Sequence, residues 1–157
     1  MANALWYELV LAVQTGVKAL GLTADGVLIP AGQILARKLP SDRQATLPLI
    51  LCCLGGADQV VDGDFEDTEV IYPVLVVHAA ASNQDLSLAN DPLLWRQKIL
   101  DMAVEWEATI RPNVTTGEIS QVEIETQVPV DLSLFRDANM DIGALLIKFR
   151  TLRGRNR

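Results

Sequence analysis

The chain has 157 residues, half of them hydrophobic, a formal net charge of −7 and a mean hydropathy of +0.23. A chain of that length reads as one domain, 1–157, that can bury roughly 70% of the surface it exposes when unfolded, and its hydrophobic fraction and hydropathy argue against global disorder. No apolar run approaches the ~18 residues of a membrane span, and a pI near 4.6 speaks against a general nucleic-acid binder.

The apolar N-terminal stretch contains Glu8, has no basic residue before it and no small-residue cleavage site after it, so it does not read as a secretory signal. Leu5, Trp6, Leu9, Val10, Val13, Val17 and Leu20 recur at spacings of three and four over Ala4 to Leu20, predicting an amphipathic helix ended by Gly21. Trp6 and Tyr7, near its start, are placed to touch a neighbour. In the connector that follows, Asp25-Gly26 and Pro30-Ala31-Gly32 are turn signals around a short Val27 to Ile29 strand, predicting a small hairpin or extended arm. Its end is basic, with Arg37, Lys38 and Arg43.

Leu47 to Leu54 reads as the first core strand. Its adjacent cysteines, Cys52 and Cys53, are ill placed to bridge each other and suit small apolar core positions. The next segment is crowded with acid: Asp58, Asp62, Asp64, Glu66, Asp67 and Glu69. Close carboxylates repel and oppose burial, so they lie in solvent, face cations or line a polar cavity. The loop lacks the glycine and closing glutamate at the offsets an EF-hand needs, so a solvated loop is the favoured reading.

Val70 to His78 is β-branched, aromatic and uncharged and predicts the central strand, paired antiparallel with Leu47 to Leu54. Pro73 cannot donate to a ladder and belongs near a strand start, at a bulge or on an edge. Ala79 to Asn90 reads as a loop. Asn90-Asp91-Pro92 then has the form of a helix start, and Trp95, Ile99, Met102, Ala103, Trp106 and Ile110 keep helical spacing up to Arg111-Pro112. Both tryptophans read as core anchors.

Glu118 to Val128 alternates, with Ser120, Val122, Ile124, Thr126 and Val128 on one side and Gln121, Glu123, Glu125 and Gln127 on the other, predicting a strand with one wet face. Ala144 to Arg150 predicts the closing strand, its Lys148 and Arg150 placed to pair with Glu123 or Glu125. Residues 152–157 form a basic tail expected to be disordered. The fold class is therefore α+β: about four main strands, mostly antiparallel, with two helices on the sheet and a minor N-terminal hairpin or arm.

Chemistry is sparse. His78 is the sole histidine, so no multi-histidine metal site exists, and only Cys52 or Cys53 is available to it as a nucleophile. There is no phosphate-binding glycine loop followed by lysine and no dinucleotide fingerprint. No catalytic, cofactor or metal residue is assigned on this reading, and no cofactor is expected.

The proline-bearing strand Tyr72-Pro73-Val74-Leu75-Val76-Val77 follows an acidic turn, a Trp-containing helix opens at Asp91-Pro92, and the chain closes on Asn139-Met140-Asp141-Ile142-Gly143-Ala144-Leu145-Leu146-Ile147-Lys148-Phe149-Arg150-Thr151. Over about Thr46 to Thr151 this pattern resembles the tail terminator, tail-completion or head-to-tail joining proteins of long-tailed phages and prophages. The longer N-terminal connector and the basic tail depart from that pattern. The resemblance implies a non-enzymatic α+β structural protein that assembles as a homo-hexameric ring, caps the tail tube, ends its polymerisation and meets the head connector. Its partners would be itself, the tube protein and connector proteins, with DNA passing through unbound and no membrane involved, in the virion tail or in the host cytoplasm during assembly. In such a ring Asp62, Asp64, Glu66 and Asp67 would face the lumen or a neighbouring ring and repel phosphates. Arg37, Lys38, Arg43, Arg150, Arg153 and Arg155 would contact the next subunit or a tail protein. Two alternatives stand beside it: an α+β adaptor docking a partner through Glu118 to Val128, and a metal-dependent enzyme using the acidic loop and His78.

Overall fold

The computed structural model describes residues 3–38, 46–61, 67–81, 90–108, 112, 114, 118–126 and 140–154; for 67, 68, 108, 140, 153 and 154 it describes the backbone alone. Two helices, α1 (Leu5–Ala19) and α2 (Asn90–Ala108), pack on one six-stranded sheet, and a separate hairpin pairs β1 (Thr23–Ala24) with β2 (Val27–Leu28). The sheet runs β3 (Ile34–Arg37), β4 (Leu49–Leu54), β6 (Asp67–Ala81), β8 (Met140–Gly154) and β7 (Glu118–Thr126), and β5 (Gln59–Val61) pairs with β6 off that path. Every pairing is antiparallel except β3 with β4. The class is α+β, with more strands than the sequence predicts.

The centre of the sheet is β6 against β8, fifteen residues each, in unbroken register from Asp67 opposite Gly154 to Ala81 opposite Met140. Alternation sorts their side chains. Val70, Tyr72, Val74 and Val76 of β6 and Leu145, Ile147 and Phe149 of β8 join the main core under the helices, with Ile50 and Cys52 of β4 and Val122 of β7. Helix α1 adds Leu5, Leu9, Val10, Val13 and Val17, and α2 adds Trp95, Ile99, Met102, Ala103 and Trp106. The helices divide the sheet between them: α1 lies over β3 and β4, α2 over β7 and β8, and both reach β6. They meet at Gly16, where a Cβ would stand 2.8 Å from Met102 Sδ and from Trp106 Cζ2. On the face away from the helices a second cluster forms from Leu49, Leu51, Cys53 and Ala79, with Leu35, Leu47, Leu75, Val77 and Ile142 packed against it.

Trp95 and Trp106 act as core anchors, as predicted, and Trp6 packs against the sheet as well. Trp106 packs 6.1 Å from Phe149 and Trp6 packs 5.5 Å from Tyr72, centroid to centroid. Trp6 Nε1 donates to Pro73 O (3.0 Å) and Trp95 Nε1 to Thr23 O (2.7 Å), so these two indole N–H groups have main-chain acceptors.

Several boundaries and pairings differ from expectation. Pro73 lies in mid-strand, where the neighbour of β6 changes from β4, ending at Leu54 opposite Val74, to β5, beginning at Gln59 opposite Ile71. Pro73 O accepts Gly55 N–H there. Because a residue's N–H and C=O point the same way in an antiparallel strand, the N–H that proline lacks faces this break in the ladder. The acidic segment and the stretch after His78, read as loops, contribute Gln59–Val61 to β5 and both ends of β6. Of the tail 152–157 read as disordered, Leu152, Arg153 and Gly154 are strand, opposite Glu69, Thr68 and Asp67, and 155–157 lie outside the described residues. A bulge between Ile119 and Gln121 puts Ile119, rather than Ser120, on the core side with Val122 and Ile124, and Ser120 Oγ instead donates to Arg150 O at 3.1 Å.

Candidate functional site

Three places concentrate polar or reactive groups. The first is a cleft of about 640 Å³ at the end of the sheet, where Ala80 and Ala81 of β6 meet Asp25 of the hairpin, Pro48, and Asn90, Asp91 and Trp95 of α2. The Asp25 N–H donates to Asp91 Oδ2 at 2.8 Å, which ties the hairpin to the first turn of α2. Asp91 thereby accepts a main-chain donor while lying where the positive end of the helix dipole favours an anion.

The second place is the Cys52, Cys53 and His78 region. His78 stands opposite Ile50, and Val76 opposite Cys52. Cys52 and His78 thus share the helix side of the sheet as diagonal neighbours, a spacing of about 7–8 Å between positions. Cys53, one residue on, faces the other way and sits in the second cluster. Burial pushes the Cys52 thiol up to about 12, with the charge of Cys53 adding to it and Lys18 opposing, and burial pushes Cys53 up to about 11 against Arg37. Neither supplies thiolate at neutral pH, which a nucleophile or metal ligand needs. His78 is 1% exposed, and neither ring nitrogen has a hydrogen-bond partner among the described residues. Burial first, and the Arg96 guanidinium second, hold it down to about 4. Arg96 itself donates to Ala144 O at 2.7 Å, and burial lowers its pKa too. The pairing predicted between the two strands does bring cysteine and histidine into one region, but it forms no proton relay.

The third place is the charged end of the sheet's helix-free face. Lys148 Nζ lies 2.7 Å from Glu125 Oε2, as expected, and that hydrogen bond is the main cause of its raised pKa. Arg150 pairs with Glu69, not with the β7 carboxylates: its Nε stands 3.0 Å from Oε2 in a close ionic contact without hydrogen-bond alignment. The reason is registry. Arg150 lies opposite Ile71, one pleat from Glu69, which is opposite Leu152.

Of the other residues singled out, Arg37 and Lys38 are exposed at the end of β3, Asp67 opens β6, and Arg153 lies in β8. Asp62, Asp64, Glu66, Arg43 and Arg155 fall outside the described residues. Among the described residues no group of three or more His, Cys, Asp or Glu is placed to hold a metal ion. No helix among them is long and apolar enough to cross a membrane. The cleft was invisible in sequence because four separate segments build it; Asn90-Asp91-Pro92 was legible only as a helix start. A scan against protein-family models finds no match, and a search of curated proteins finds none either.

Proposed function

We propose that the chain is a ring-forming structural component of a phage or prophage tail, one that caps the tail tube, ends its polymerisation and joins it to the head connector. The observation that supports this most is the pairing of the segments on which the resemblance rests. Tyr72 to Val77 and Met140 to Thr151 lie in β6 and β8, side by side at the centre of the sheet. The helix opened by Asp91-Pro92 packs over that same pair and over β7. The reactive groups add to the reading: two thiols held protonated and an imidazole held neutral without a partner are poor tools for chemistry.

In this reading the copies associate with each other, with the tube protein and with connector proteins. DNA passes through without specific contact, and Asp62, Asp64, Glu66 and Asp67 face the lumen or an adjoining ring. Polymerising tube protein in vitro with and without the purified chain tests it. Tubes of restricted length carrying the chain at one end are the expected outcome; tubes whose length and ends are indifferent to the chain would sink the proposal. A monomeric adaptor is the competing reading, favoured by β7, whose outer edge has no strand partner among the described residues and whose charged residues, Glu118, Glu123 and Glu125, are all acidic.

A further inference from the structure

Two exposed features are built firmly yet leave apolar side chains uncovered by the described residues. One is the β1–β2 hairpin. Its base is fastened by Trp95 Nε1 to Thr23 O and by Ile29 N–H to Leu22 O at 2.9 Å, and its Asp25-Gly26 turn by Asp25 N–H to Asp91 Oδ2. Its second strand nonetheless holds Val27 and Leu28 in water, 69% and 61% exposed, beside an exposed Asp25. The other is a groove of about 410 Å³ between the first half of α1 and the end of β3. Trp6, Tyr7, Val10 and Leu11 supply apolar walls, and Arg37 and Lys38 stand exposed on the rim.

The two features complement each other in polarity and in sign of charge. They lie at opposite ends of α1, a helix of 15 residues and therefore about 22 Å long. With its base tied down at the far end, the hairpin cannot fold back into its own groove, but a second copy can present one. Strand addition at β3 is not the mode of contact, because its outward carbonyls are already taken. Ile34 O accepts Gln14 Nε2 at 3.0 Å and Ala36 O accepts the Arg37 guanidinium at 3.1 Å.

We infer that the β1–β2 hairpin of one copy docks in the α1–β3 groove of the next, with Val27 and Leu28 entering the apolar walls and Asp25 facing Arg37 and Lys38. Each copy then offers one hairpin and one groove, a heterologous contact that closes into a ring when its rotation allows. The inference rests on the ring reading and names the subunit contact that reading requires.

Two variants at exposed positions test it: Val27→Asp spoils the hairpin, and Tyr7→Glu spoils the groove. Circular dichroism first checks that both fold as the parent does, and sedimentation velocity then reads assembly. The parent chain is expected to sediment as an oligomer and each variant alone as a monomer. An equimolar mixture of the variants is expected to give a one-to-one dimer and nothing larger, because only one sound hairpin then meets one sound groove. Variants that assemble like the parent, or monomeric variants whose mixture gives no dimer, would overturn this contact while leaving the ring itself standing. A parent chain that stays monomeric at every concentration would overturn both.

Discussion

At the scale of single residues, His78 is the most consequential side chain. Its ring is buried with no hydrogen bond to either nitrogen among the described residues, so protonating it in place means burying a charge next to Arg96. Its pKa, down from 6.5 to about 4 on folding, sets the sign. Between those values the unfolded chain binds more protons than the folded one. The contribution to stability is therefore whole above about pH 6.5, declines as pH falls through the window, and levels off below about pH 4, a loss of about 3 kcal/mol. Urea denaturation of His78→Leu against the parent should show this part of the acid limb flattened; an unchanged slope would mean that the ring finds a partner when protonated. The thiols give a second check. With Cys52 and Cys53 buried and pushed to about 12 and 11, a thiol reagent at pH 8 should react only as fast as the protein unfolds, whereas prompt labelling of the native chain would show that one sulfur is accessible. The sequence indicated that these three residues are structural, because a lone histidine and vicinal cysteines offer no ligand set. It could not indicate that His78 lacks a hydrogen-bond partner among the described residues, which depends on what β4, β8 and α2 bring around it.

At the scale of elements, legibility followed length. The periodicity of α1 and α2 was readable because each holds four or more apolar positions on one stripe, and the β6 and β8 cores were readable from runs of β-branched and aliphatic residues. What escaped was short or depended on a neighbour. Ile34–Arg37 is four residues and Gln59–Val61 three, too few to display a period, and each is a strand only because β4 or β6 offers it a ladder. The bulge at Ile119–Gln121 escaped because strict alternation fits Glu118 to Val128 as text; only pairing with β8 reveals the slip that gives the core Ile119. The helix contact at Gly16 yields a prediction. Replacing glycine by alanine in a helix interior ordinarily gains up to about 1 kcal/mol. Here the new methyl meets the rigid Trp106 ring and Met102 Sδ at 2.8 Å, and overpacking costs about 1–3 kcal/mol. Gly16→Ala should therefore lower the urea midpoint despite the better propensity; a raised midpoint would show that the two helices separate without penalty.

At the scale of the whole molecule, the sheet treats its faces differently. The helix side holds the main core. The other side grades from an aliphatic cluster around Leu49, Leu51 and Cys53 to the ion pairs Glu125–Lys148 and Glu69–Arg150. The exposed pair Glu125–Lys148 contributes at most about 1 kcal/mol, so these charges matter more for which surfaces attract or repel one another than for folding. The sequence foretold the α+β class from the order of elements, helix, hairpin, strands, helix, strands. It could not foretell that the hairpin and the basic end of β3 lie at opposite ends of α1, because that depends on how the connector crosses the sheet. A ring of more than two copies of one chain needs two different surfaces on each copy, and the hairpin and the α1–β3 groove are two such surfaces.

The most direct measurement is the mass of the unmodified chain in solution, by light scattering after size exclusion across a wide range of concentrations. The account predicts a discrete closed assembly, about six times the mass of the chain, whose size stops growing as concentration rises. A monomer at every concentration, or an open series that lengthens without limit, would contradict it.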